Sequence, residues 1–573
     1  MLRDSSANPR TVIDFPSERE TTLSSVRTLR LGAYAVILAV GFVRAWVGRY
    51  SMNPDGMCYL DLGDAFFHRK WFDAVNGYWS PLYSWLLGAA LFVTKPSRWW
   101  EFPVAHAVNF IIYVTVLVCF EFFLRSLFEQ QDSELRYSGT GGLSERSLLA
   151  LGYALFLWSS LELITIWDLS PDLCVAGFVY LIAGLLLRIR RPSSPWLCVT
   201  LGIVLGLAYL TKAVMFPLGF AFILIGLVAV PRQKKLGFLL LVTFCFLAVS
   251  APWVVALSRA KGRFTFGDSG TLNYSSFVSP GGRVIHWQGA PAGSGVPAHP
   301  TRQLLANPPL YEFAAPVGGT YPPSFDPSYW NEGRRWTFSV RAQLNVIKEH
   351  LLIYAELLLH SQSGLLAGVL TFILVGGVAT RKAVLRNWPL FGICFAAMGL
   401  YALVHVEARF VGAYVCVLWL AILLGVRLTN LEGLRKMADF LALAVVVTVL
   451  LSVADGTVRT IRAGGPYSAA DQIVVAEGLE KLGLRAGDRV AVLGDGNWSY
   501  WARSGQFKFV ANIMSNDTAA FWAETRDRRE EVYRIFAGAG ARAVVTAGPL
   551  HADGGDGWQR IGTTEYYVRW LSE

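Results

Sequence analysis

The sequence predicts an α-helical polytopic membrane protein that ends in a small α/β domain. Three observations lead there. Of the 573 residues, 54% are hydrophobic and only 16% charged, against roughly 25% charged in soluble proteins, and the mean hydropathy is +0.41. Apolar stretches recur along most of the chain, separated by short runs of Arg and Lys. Residues 457–573 then turn polar, with short β-branched runs. The net charge of +10 lies largely in the runs between apolar stretches, where cytoplasmic loops carry their excess of Lys and Arg. It therefore speaks for topology and against nucleic acid as a partner. Cys119, Cys174, Cys198, Cys245, Cys394 and Cys416 fall inside apolar stretches and only Cys58 lies in a loop, so neither a disulfide framework nor a zinc spacing is present.

Residues 1–30 are polar and contain Arg10, Arg19, Arg27 and Arg30. They read as a cytoplasmic tail rather than as the start of a cleavable signal peptide. The first span is expected at 31–48, which places 49–100 on the opposite side. Within that loop, 81–93 is apolar but shorter than the roughly 20 residues a crossing needs, and is expected to lie along the interface. Spans follow at 103–124 and 147–167, joined by a basic loop with Arg125, Arg136 and Arg146. The chain emerges at Trp167-Asp168-Leu169-Ser170-Pro171-Asp172 and returns through 173–188 to Arg188, Arg190 and Arg191. Further spans are expected at 196–212, 213–230 and 236–256.

A long outer segment, 257–349, is rich in Gly, Pro, Tyr and Trp; its length marks it as functional and its aromatics argue against disorder. The last spans are expected at 363–380, 388–404, 410–428 and 438–455. This makes about eleven crossings of about 20 residues each, with the N-terminus inside and the C-terminus outside. Making 81–93 a full span would break the alternation of basic loops and separate Asp55 from Asp172. In 457–573, runs at 487–494, 509–512 and 541–547 alternate with a helical stretch near 518–538, as in a small α/β domain. Its Gly494-Asp495-Gly496-Asn497 loop lacks the third glycine of a dinucleotide fingerprint, and the domain reads as a docking or lid module outside the membrane. The division is thus a tail (1–30), a transmembrane unit (31–456) and a soluble unit (457–573).

On this topology one face gathers Asp55, Asp61, Asp64, Asp168, Asp172, Lys212, His405, Glu407 and Arg409. Ionisable groups at span ends are costly unless solvated or paired, and mark functional sites. Asp55 lies in a Pro54-Asp55-Gly56 turn that holds its carboxylate. Asp61 and Asp64 read as a solvated helix face. Asp172 follows Pro171 at a helix start, where the dipole favours an anion. Lys212 ends an apolar run, and His405 and Arg409 stand four apart, as on one face of a helix. In the outer segment, 267–274 and 321–331 pair aromatics with Asp and Asn, a composition suited to sugars, and Arg283, His286, Trp287 and Arg302 offer charge or ring faces to an anionic head group.

Pro54-Asp55-Gly56, Ser80-Pro81-Leu82-Tyr83, Ser170-Pro171-Asp172, Gly206-Leu-Ala-Tyr-Leu-Thr211-Lys212 and His405-Val-Glu-Ala-Arg409-Phe410, in this order over about the first 430 residues, resemble the GT-C glycosyltransferases. The nearest branch looks like the protein O-mannosyltransferase and aminoarabinose lipid A transferase group. The chain departs from it in having Gly56 after Asp55, where several relatives carry a second acid, and Ser80 where a basic residue precedes the interfacial helix. The resemblance implies a bacterial inner-membrane enzyme that moves a sugar from a polyprenyl-phosphate donor to an extracytoplasmic glycan, lipid or protein acceptor, with inversion. It implies Asp55 as general base, Lys212, Arg409 and His405 on the donor phosphate, and Asp172, Tyr59, Tyr78, Tyr83 and Glu407 around the substrate. No cofactor is firmly implied, although some relatives use a divalent cation, Mg or Mn, which Asp55 and Asp172 would hold. Two other readings share the cavity without the chemistry: a flippase of lipid-linked sugars, and a non-catalytic envelope assembly protein.

Overall fold

The computed structural model describes residues 18–138, 142–190, 194–299, 301–313, 318–360, 363–428, 432–548 and 557–571. Residues 1–17 of the tail, with Arg10, and Arg191 lie outside them, as do the side chains of Arg19 and Arg136. Among the described residues six helical stretches are long and apolar enough to cross a bilayer: Ser25–Val47, Arg98–Gln130, Asp172–Ile189, Arg232–Lys261, Ser363–Arg386 and Gly433–Arg462. Shorter apolar helices run Pro195–Thr211, Met215–Ala229, Trp388–Ala402 and Ala408–Leu424, and Glu145–Trp158 continues through a wider turn to Leu163.

The helix starts follow local chemistry. Proline opens Pro54–Phe67, Pro81–Thr94 and Pro195–Thr211, where its missing N–H costs nothing. Ser144, Ser194 and Ser339 accept a backbone N–H from the first turn of the helices they precede, satisfying an otherwise orphaned donor. The bundle is apolar on both sides. Leu236, Leu240, Phe244 and Leu247, and likewise Phe440, Leu443, Val447 and Leu451, are exposed at helical spacing, a face that only a lipid or another protein can cover without loss.

The span expected at 363–380 is present as Ser363–Arg386. Two other expectations about the helices are corrected. First, the stretch before that span holds a helix that was not expected, Val340–Ala355. His350 Nδ1 lies 2.8 Å from the Ala402 carbonyl and the Tyr354 hydroxyl donates to the Met398 carbonyl (2.7 Å), so this helix runs down Trp388–Ala402 from its C-terminal end. At the far end Thr380 Oγ1 donates to the Arg427 carbonyl (3.0 Å). The charges of 340–356 hid the helix from a hydropathy reading. Second, Asp55 is not in an isolated turn: it is in the first turn of Pro54–Phe67, with Asn53 as its N-cap.

The segment expected to lie outside, 257–349, is folded, with a helix Ser269–Phe277 and strands β1 (Arg302–Ala306) and β2 (Pro309–Glu312). Those strands extend the sheet of the C-terminal unit, whose own strands are β3 (Arg489–Leu493), β4 (Lys508–Ile513), β5 (Ala543–Ala547), β6 (Trp558–Arg560) and β7 (Tyr566–Trp570). The order is β1-β2-β4-β3-β5-β7-β6. β4, β3 and β5 are parallel and buried, and the flanking pairs antiparallel, as expected when helices cover a parallel centre.

The sheet unit is tied to the bundle by charge. Arg503 donates to Asp61 (2.7 Å) and to Glu101 (2.8 Å) and pairs with Asp64 (2.5 Å). Asp61 also accepts from the Thr320 backbone N–H (2.6 Å) and hydroxyl (2.9 Å). Asp61 is thus buried, at 8% exposure, and the expected solvated helix face is instead an anchor point.

Candidate active site

At one end of the bundle a cavity of about 640 Å³ opens between the helix starts and the sheet unit. Asp55, Tyr59, Tyr78, Asp172, Lys212, His405, Glu407 and Arg409 all line it. Tyr83 does not. It is fully buried, packs edge-on against Tyr59 (5.1 Å) and donates to Asn109 Oδ1 (2.7 Å). Asn109 in turn donates to the carbonyls of Ile166 and Asp168 (3.1 and 3.0 Å), so Tyr83 supports the loop that carries Asp168.

Four carboxylates converge on one guanidinium. Arg409 lies 2.6 Å from Glu407, 3.1 Å from Asp55, 3.2 Å from Asp168 and 3.7 Å from Asp172. The forked, planar group suits this role, because its five donors point in fixed directions. Lys212 Nζ donates to Asp172 Oδ1 (2.6 Å) and lies 3.5 Å above the Phe410 ring. Asp172 therefore bridges the two cations, and Asp55, 33% exposed, keeps a free edge toward the cavity.

His405 and Arg409 do not share a helix face as expected, since the helix begins at Ala408 with Glu407 as its N-cap. Glu407 joins them: His405 Nε2 is 3.0 Å from its Oε1. The His405 ring lies flat on Phe277 (3.9 Å, 4°), coupling the helix start to the outer segment. Burial alone would raise the Glu407 carboxyl, but the hydrogen bonds and charges of His405 and Arg409 hold it at about 2. Asp168 is pushed up to about 7: burial is the main cause, Arg409 opposes it, and the neighbouring carboxylates add to it. Burial and the neighbouring carboxylates both disfavour the charged form, and a guanidinium shared among four acids offsets them only in part.

The outer segment and the sheet unit complete the wall with residues that the sequence reading gave no firm role. Arg283 lines the cavity with its guanidinium 3.8 Å above Trp330, Tyr78 donates to Asn273 (2.9 Å), and Asn497 and Trp498 enter from the loop after β3. The aromatics of 321–331 marked part of this. The signal at Trp498 was an apolar ring in a short polar loop directly after a strand. A divalent ion between Asp55 and Asp172 does not fit, since the Arg409 guanidinium already bridges these carboxylates.

No family model matches the chain, and no curated protein matches it. Among solved structures, ArnT from Cupriavidus metallidurans in the apo state aligns at a TM-score of 0.52 and 12% identity, covering 94% of this chain and 98% of ArnT. The same protein bound to undecaprenyl phosphate aligns at 0.51 and 13% identity, over 94% and 97%. The chain has the fold of ArnT. That is the GT-C fold to which the five motifs pointed. An Archaeoglobus fulgidus oligosaccharyltransferase tethered with an acceptor peptide aligns at a TM-score of 0.46 and 12% identity, over 89% of this chain and 69% of its own. At such identities the ArnT likeness carries the architecture, and the activity rests on the site.

Proposed function

We propose that the chain is a membrane glycosyltransferase that moves a sugar from a polyprenyl-phosphate donor to an acceptor hydroxyl, with inversion at the anomeric carbon. The observation that carries this reading is the pairing, in one cavity, of a half-open carboxylate at a helix start (Asp55) with a lysine (Lys212) whose ammonium has, among the described residues, one carboxylate hydrogen bond. Asp55 takes the proton of the acceptor hydroxyl as that oxygen bonds to the anomeric carbon. The bond from that carbon to the phosphate oxygen breaks, and its electrons leave with the polyprenyl phosphate. Lys212 meets the departing phosphate, with Arg283 as a second cation and His405 at the rim. Arg409 holds Asp55 and Asp172 in place and reaches the phosphate only by releasing a carboxylate. Tyr59, Tyr78, Asp172 and Glu407 form the walls. The apolar lining residues Leu400, Val404 and Pro217 suit the start of a prenyl chain.

The division into a tail (1–30), a membrane unit (31–456) and an outer soluble unit (457–573) belongs to the same proposal. The six long helices, the four short ones and Glu145–Leu163 supply the eleven crossings, with the cavity and C-terminus on the outer face of a bacterial inner membrane. The test is transfer from a polyprenyl-phosphate sugar by the full chain in lipid nanodiscs. Asp55→Asn is expected to lower turnover by about 10²–10⁴-fold, the usual worth of a general base, while donor binding persists. Undiminished turnover in that variant removes Asp55 as base. Movement of the donor across the bilayer with no transferred product makes the protein a transporter instead.

A further inference from the structure

Trp167, Tyr467 and Trp498 come from three distant stretches of chain and meet beside the cavity. Ring centroids are 5.9 Å apart between Trp167 and Tyr467 and 5.8 Å between Tyr467 and Trp498, with the planes tilted by 47° and 44°. Trp498 belongs to the cavity wall that also holds Asp55, so the row is continuous with the site. Tyr467 is 63% exposed and Trp498 42%, and Trp167 is half-buried. Aromatic rings carry a large area that folding usually hides, and a group of them left open at a cavity mouth marks a binding surface.

The row is rigid. The Tyr467 carbonyl accepts from the Met52 backbone N–H (3.2 Å) and the Ala469 N–H donates to the Tyr50 carbonyl (2.8 Å), which clamps this linker to the residues just before Asp55. The Trp498 carbonyl accepts from Gln472 Nε2 (2.8 Å), and its ring meets Tyr500 edge-on (6.1 Å, 64°). A Cβ on Gly48 would lie 2.9 Å from the Trp167 Cβ, so the chain there is packed closely. Tyr467 and Thr165, beside Trp167, sit at φ +50° and +69°. Aromatic and β-branched residues rarely adopt that region, and strain of this kind persists where surrounding structure enforces it.

We infer that Trp167, Tyr467 and Trp498 form the acceptor subsite and that the acceptor presents a saccharide to it. This rests on the transferase reading and narrows its acceptor class. The C–H faces of sugar rings stack on aromatic faces, and tilted neighbouring rings offer successive sugars separate platforms. Asn497, in the same wall, accepts from the Ser324 hydroxyl through its Oδ1 and has its amide N–H groups to offer a sugar hydroxyl. Lys212 reaches the cavity from the bundle and Trp498 from the sheet unit, which leaves donor and acceptor separate approaches to Asp55.

The full chain in nanodiscs is titrated with cellohexaose, chitohexaose and mannohexaose, and separately with undecaprenyl phosphate. Saturable binding of at least one hexasaccharide is expected. Trp498→Ala and Tyr467→Ala are each expected to weaken it at least fivefold, Trp498→Phe and Tyr467→Phe less than twofold, and Tyr467→Ala is expected to leave undecaprenyl phosphate affinity unchanged. Absence of hexasaccharide binding, or binding indifferent to both alanine variants, overturns the subsite. So does quenching of the fluorescence by spin-labelled headgroup lipid that diminishes in Trp498→Phe, because the rings then belong to a membrane-interface belt. Hexasaccharide binding that depends on Tyr467 supports the subsite even where undecaprenyl phosphate fails to bind, and that failure counts against the donor reading alone.

Discussion

Arg409 concentrates the electrostatics of the site in one side chain. Its contacts with Asp55, Asp168, Asp172 and Glu407 hold three helix starts and one loop in register, which a point charge on a flexible stem does not do. Arg409→Lys is expected to retain the fold but lower transfer by about 10²-fold, the scale of a small misplacement of reacting groups, measured as kcat/KM with a lipid-phosphate sugar. Asp168 gives a second prediction. Its carboxyl holds its proton to about 7 in the folded chain, against about 3.9 when unfolded, so the folded state binds more protons between those values. Stability therefore falls as pH rises from about 4 through about 7. Asp168→Asn is expected to flatten this window in melting curves taken across it, and an unchanged slope would locate the proton elsewhere. Asp55, Asp172, Lys212 and Arg409 were legible in the sequence because each is a charge at the end of an apolar run, an expensive placement that demands a reason. Their shared dependence on one guanidinium was not, since it arises only when residues up to 354 positions apart meet.

At the scale of elements, the helix that presents Asp55 is positioned by a glycine contact. Pro54–Phe67 crosses Pro81–Thr94 with Gly63 against Gly88, and a Cβ on either would come within 2.9 Å of the other's Cα. The absent side chains let the two backbones approach, as small residues do between membrane helices. Gly63→Val is expected to cost about 1–3 kcal/mol, the range for an overpacked contact, seen as a lower melting temperature. It is also expected to reduce transfer more than donor binding, because it displaces the base and not Lys212. The short apolar helix Pro81–Thr94 was readable from its Ser80-Pro81 start and its length. The descent through Val340–Ala355 was not, because hydropathy weighs each residue alike and that helix buries only one side.

The whole molecule is a bundle capped by a sheet to which two distant stretches of chain contribute, and Arg503 couples the two parts. It is nearly enclosed among Asp61, Asp64 and Glu101, at 10% exposure. Removing one partner of such a cluster strands the others without compensation, at about 3–5 kcal/mol. Arg503→Ala is therefore expected to loosen the sheet unit, seen as faster proteolysis near residues 463–469, and to weaken hexasaccharide binding through Trp498 while leaving undecaprenyl phosphate affinity less affected. Intact resistance to protease in that variant would place the coupling elsewhere.

By itself the sequence determined the membrane-embedded helical class, the series of apolar spans, the short strands near 489–547, and the acids and bases set at the ends of the spans. These follow from local terms: transfer of apolar surface out of water, the period of a helix, and the cost of a charge near lipid. Only the tertiary structure decided that Arg409 gathers four acids around one guanidinium, that Asp61 anchors a second unit, that residues 302–312 lend two strands to the C-terminal sheet, and that Trp498 and Asp55 line one cavity. Each of these is a contact between groups far apart in the chain, whose energy depends on distance and burial in three dimensions rather than on any neighbour in sequence.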